Sequence, residues 1–150
     1  MPPKFTAMFQ LYIDSVARAQ PRQFRVYSAA GVHSCTTKYV NFVAGVYRLA
    51  DWCTSGQDMI VPRLSLLKQE MSSLLQRIAD EHFGAAAVEG DQQAAAKKNP
   101  LVFMINNVHF IVMQLQALGL VKGAKDLVLF DRELQKAIEA YLETLLQANF

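Results

Sequence analysis

Little in this chain invites chemistry. Among 150 residues there is no CxxC pair, no His-Glu-x-x-His, no Gly-x-Gly-x-x-Gly, no Walker-type loop and no nucleophile elbow. That removes the ready-made metal, nucleotide and acyl-transfer sites, so neither a cofactor nor a metal is expected. Cysteine is scarce: Cys35 and Cys53 stand 18 residues apart. If one helix carries both, a rise of 1.5 Å per residue puts them roughly 27 Å apart, beyond disulfide reach. There is no Asn-x-Ser/Thr sequon, and Met1-Pro2-Pro3-Lys4 opens onto an amphipathic segment rather than an apolar leader. A reducing, cytosolic setting follows. It argues against a secreted, cytokine-like helical ligand.

Charge is also scarce. Charged residues make up 19% of the chain, with 15 basic and 13 acidic side chains and a net +2. A nucleic-acid binder usually carries a clear basic stripe, and none is present. The excess of Lys4, Arg18, Arg22 and Arg25 over Asp14 reads as a solvated face and connector. The apolar share of 52% is slightly above that of an ordinary soluble domain. It suits one domain with a large core and some surface that expects a partner.

The longest run without charge lies between Lys98 and Lys122: NPLVFMINNVHFIVMQLQALGLV. At about 100° per residue it shows two apolar faces. Leu101, Met104, Ile105, Val108, Ile111, Val112 and Leu115 form the wide one; Val102, Phe103, Phe110, Met113 and Ala117 form the other. Asn107 and Gln114 line one seam, His109 and Gln116 the opposite one. A helix apolar on two sides must be covered on both, as a central helix of a bundle is. A membrane span needs about 20 apolar residues, but Asn106, Asn107, His109, Gln114 and Gln116 interrupt this run. A membrane span is therefore not expected.

Other segments step by three and four. Phe5, Met8, Phe9, Tyr12 and Val16 mark a helix from Lys4 to about Ala19, ended by Pro21. Residues 22–32 read as a connector. A second helix starts at Ser34 as N-cap and carries Tyr39, Phe42, Val46, Leu49 and Cys53, with Gly45 allowing close backbone approach; Thr54-Ser55-Gly56 closes it. A third carries Ile60, Leu64, Leu67, Met71, Leu74 and Ile78, a coiled-coil-like seam. Asp58 is its cap, Pro62 sits in its first turn, and Gly84 stops it. The alanine-rich stretch between Gly84 and Asn99 lacks bulky apolar residues and reads as a long mobile loop. Asn99 then caps the central helix with Pro100 at N1. After the Gly119–Lys125 turn, a last helix presents Leu127, Phe130, Leu134, Ile138, Tyr141 and Leu145. The sum is an all-α, elongated bundle of five helices with antiparallel neighbours. The last helix is still periodic at Phe150, so a fragment of a longer chain is expected.

Two sets of residues could carry function. Phe103, Phe110 and Met113 are candidate partner-binding residues, on a face expected to stay partly exposed until a further segment or a second copy covers it. Asn106, Asn107 and His109 could instead serve a helical enzyme or cofactor carrier. Buried amides must find partners, and in a scaffold these would bond within the bundle. In an enzyme a pocket beside Asn107 and His109 would hold a perturbed titratable group.

Three elements together resemble a known family. The run Leu101-Val102-Phe103-Met104-Ile105-Asn106-Asn107, the segment Met8-Phe9-Gln10-Leu11-Tyr12-Ile13-Asp14-Ser15-Val16 and the Lys38-Tyr39-x-x-Phe42 step are similar, in order and spacing, to the vacuolar protein sorting fifty-two family. The chain departs from it at Val108 and His109 and in the alanine-rich insert. The resemblance implies a helical-rod domain from a core subunit of the Golgi-associated retrograde protein (GARP) tether and its endosomal sister complex. It further implies no catalysis, a place on the cytosolic face of the trans-Golgi network and endosomes, and a part in endosome-to-Golgi retrograde transport. Implied partners are other tethering subunits, Rab GTPases and SNARE proteins.

Overall fold

The computed structural model describes residues 3–26, 28–52, 57–84, 99–119 and 125–149. They form five α-helices: α1 (Pro3–Arg18), α2 (Ser34–Trp52), α3 (Gln57–Phe83), α4 (Pro100–Ala117) and α5 (Lys125–Asn149), with a 3-10 turn at Pro21–Gln23. No strand occurs among the described residues. The alanine-rich stretch, the Thr54-Ser55-Gly56 closure, the side chains of Leu49 and Cys53, and most of the turn before Lys125 lie outside the described residues.

Helix ends follow local chemistry. Gln20, held extended (φ −90°, ψ 128°) ahead of Pro21, stops α1. At α4, Asn99 accepts from the Leu101 amide at 2.8 Å and Pro100 fills the first position. Gly119, at φ +82°, donates to the Gln116 carbonyl at 3.0 Å beyond its other end. Gly84 closes α3 by donating to the Asp80 carbonyl at 3.0 Å, and a Cβ at residue 84 would collide with that carbonyl.

Three expected local features differ. His33, not Ser34, caps α2: its carbonyl accepts from the Thr36 and Thr37 amides, and its Nδ1 accepts from the Cys35 amide at 3.2 Å. The α3 helix starts at Gln57, which puts Asp58 inside its first turn and Pro62 sixth. Gly45 has open space where a Cβ would stand, so no neighbouring backbone requires its smallness.

The bundle is organised around α3, which packs against all four other helices and the 3-10 turn. At 27 residues it is the longest helix, about 40 Å from end to end. Its seam residues Ile60, Leu64, Leu67, Met71, Leu74 and Ile78 are all buried, joined by Leu75, Ala79 and Phe83. The central place expected for α4 therefore belongs to α3. The α4 helix packs on α5 most extensively, then on α3 and α2. Leu101 and Met104, at its start, share a groove with Ala137 and Ala140 in the middle of α5, and the short connection between two such closely packed helices makes them antiparallel. By length and composition α4 could cross a membrane, but seven of its residues are buried against the bundle.

Aromatic rings join the layers. Phe42 of α2 meets Phe9 edge-on at 5.2 Å and stacks on Tyr12 of α1 at 4.2 Å. Tyr39 meets Phe130 of α5 at 5.9 Å, and Phe83 of α3 meets Phe103 of α4 at 5.7 Å. On α1 the inward positions are Phe9, Ile13 and Val16; Met8, expected on that face, is 67% exposed.

Candidate functional site

The two asparagines of α4 tie down the connector between α1 and α2. Asn107 is fully buried, and its Oδ1 accepts from the Thr36 hydroxyl at 2.7 Å and the His33 amide at 2.9 Å. Its Nδ2 donates to the Phe103 carbonyl at 2.8 Å and reaches the Gly31 carbonyl at 3.5 Å. Asn106 donates to the Ala29 carbonyl at 2.9 Å. A buried amide group satisfied on both its oxygen and its nitrogen fixes geometry rather than waiting for a ligand. Both amides therefore bond inside the bundle, as a scaffold requires.

The same connector is held from α3. Arg77 spreads its guanidinium over the last carbonyls of α1, donating to Ala19 at 2.9 Å and Val16 at 3.3 Å. A cation there satisfies unpaired carbonyls and complements the helix dipole. His82 Nε2 lies 3.0 Å from the Pro21 carbonyl, and His33 Nε2 lies 3.2 Å from that of Arg25. Since His33 Nδ1 accepts from an amide, its proton sits on Nε2. Burial pushes the His33 pKa below its ordinary value; the bond to Arg25 opposes this, while His82 and Lys38 add to it. Sequence reasoning missed Arg77, His82 and His33 as clamps. Arg77 and His82 reach carbonyls about 60 residues away and His33 one eight residues back, and no spacing rule links either kind of pair.

A cleft of about 300 Å³ opens over the connector, lined by Arg25, Ser28, Gly31, His33, Ser34 and Phe103 among others. Neither Asn107 nor His109 lines it. His109 is exposed rather than held in a buried seam, so Asn106, Asn107 and His109 do not converge on one pocket. The reason lies in how α4 is covered. Its wide face is buried at Met104, Val108, Ile111, Val112 and Leu115. The second face is covered only near its start: Phe103 is 1% exposed, Phe110 is half-buried, and Met113 is 50% exposed. The opposite seam, with His109 and Gln116, therefore faces solvent.

Cys35 lies half-buried in a small recess with Tyr12, Phe24, Met71 and Leu74, and burial pushes its thiol up to about 11. At neutral pH it is a packed thiol rather than a nucleophile. No group of three or more potential metal ligands occurs among the described residues.

The profile of the family described as Vps52, C-terminal, matches residues 1–142. The chain belongs to the Vps52 C-terminal family. Comparisons with curated proteins and with solved structures give no match. The match takes in the Asn106-Asn107 clamp, the connector it holds and most of α5. Vps52 is a subunit of the GARP tethering complex, and its family is non-catalytic and associated with the Golgi or endosomes.

Proposed function

We propose that this Vps52 C-terminal domain is a helical scaffold and protein-binding arm of a vesicle tether for endosome-to-trans-Golgi retrograde transport. It would work on the cytosolic face of those membranes. The observation that carries this reading is the profile match over residues 1–142. The fully bonded Asn107 fits it, since a scaffold spends its buried polar groups on its own geometry. Contact with other tethering subunits, or with a Rab GTPase or SNARE, is assigned to the open end of the second α4 face, at Phe110 and Met113. Tagged chain captured from cell extract should bring down the other subunits of one tethering complex. Recovery of none of them, against a full-length subunit that recovers them all, would overturn the reading.

A further inference from the structure

The outward flank of α5 carries a pattern that the connector clamp does not use. On its inner side Leu127, Phe130 and Ala137 are buried. Roughly 100° around the helix a second stripe runs through Val128, Gln135, Ile138, Leu142 and Leu146. Leu142 and Leu146 are 53% and 59% exposed, and Val128 is 37% exposed.

Beside this stripe stand four exposed charged residues in the order Arg132, Lys136, Glu139, Glu143. None of the four side chains makes a hydrogen bond or ion pair among the described residues. Within one helix, of these four only Lys136 and Glu139, three apart, attract one another. Arg132 and Lys136 are four apart, as are Glu139 and Glu143, and like charges at that spacing repel. Read backwards, the same order is its own complement.

We propose that this face of α5 pairs antiparallel with a second copy of the chain. A two-fold axis between Ala137 and Ile138 sets Arg132 against Glu143 of the partner subunit and Lys136 against Glu139 of the partner subunit. The symmetric pair repeats both contacts. The same rotation lays the Leu142–Leu146 end of each stripe over the Val128 end of the other, covering the exposed leucines. At the axis lies a groove of about 380 Å³ lined by Asp131, Arg132, Gln135, Lys136 and Glu139, which gives the facing side chains room. The order of charges favours a second copy over an unrelated helix, which would need no palindrome.

Sedimentation of the purified chain over a range of concentrations tests this. The wild type should show a reversible monomer–dimer equilibrium. Leu142→Glu/Leu146→Glu should be monomeric at every concentration with unchanged helix content and melting temperature. Arg132→Glu/Lys136→Glu and Glu139→Lys/Glu143→Lys should each lose the dimer alone and regain it as a one-to-one mixture. These charge variants touch only exposed side chains, so they decide the matter even if the leucine variant unfolds. A wild type that stays monomeric, a dimer that survives the leucine substitutions, or a mixture that fails to pair would each overturn the proposal.

Discussion

One side chain, Asn107, holds together segments more than 70 residues apart in the chain. Its oxygen serves two donors, the buried Thr36 hydroxyl and the part-buried His33 amide. In Asn107→Ala the buried Thr36 hydroxyl and the part-buried His33 amide lose their acceptor, and a buried group left so costs about 1–3 kcal/mol. Urea unfolding should therefore show a loss of about 2–4 kcal/mol. Adding Thr36→Val removes one stranded donor, so the double variant should be less destabilised than the two single losses summed. Strict additivity would show that the hydroxyl and the amide do not depend on one another. An Asn-Asn pair on a buried helix announces structural work. Its targets, the Ala29 carbonyl and the His33 amide, lie in a stretch without any hydrophobic period and could not be read from the sequence.

At the scale of elements, the start of α2 depends on a histidine in its neutral form. His33 Nδ1 accepts the Cys35 amide only while unprotonated, and burial lowers its pKa in the folded state. The unfolded chain then takes up the proton first as pH falls. The stabilisation is fully present above the ordinary histidine pKa of about 6.5 and drains away as pH falls from there through the lowered folded value. His33→Asn keeps a capping oxygen but cannot titrate. The difference in melting temperature between wild type and this variant should shift against the wild type from pH 7 to pH 5; a constant difference would rule out the mechanism. Other element ends were legible in proportion to how local their chemistry is. Asn99-Pro100, Pro21 and Gly84 act on the adjoining turn, and all three work as the sequence suggests. Ser34 looks like the better cap by residue type, yet His33 takes the role because its other nitrogen is held by the Arg25 carbonyl, a contact no propensity scale contains. The α3 seam was fully legible, since an uninterrupted run of large apolar residues leaves one face to bury. Two-sided α4 was legible only in its first half. Periodicity says that a face is apolar; it does not say whether a neighbour is long enough to cover it.

For the whole molecule, the uncovered end of α4 separates buried core from exposed apolar surface. Phe103, at 1% exposed against Phe83 of α3, belongs to the bundle, and Phe103→Ala should cost about 3–5 kcal/mol. Met113 is half exposed and followed by exposed Gln114, Gln116 and Ala117. Met113→Ser should change stability by no more than about 0.5 kcal/mol. If Phe110 and Met113 form the contact surface of a tethering arm, Met113→Ser should nonetheless reduce capture of the other tethering subunits from cell extract. The loss should reach roughly tenfold, the equivalent of about 1.4 kcal/mol of binding, because a central apolar anchor carries a large share of an interface's energy. The control is Met8→Ser on α1, an equally apolar residue that is 67% exposed on another face. Equal capture by wild type, Met113→Ser and Met8→Ser would move the contact surface away from α4. Equal loss from both serine variants would point to general stickiness of exposed methionine. Only a loss confined to Met113→Ser, in a domain that melts like the wild type, assigns the open end of α4 to a partner.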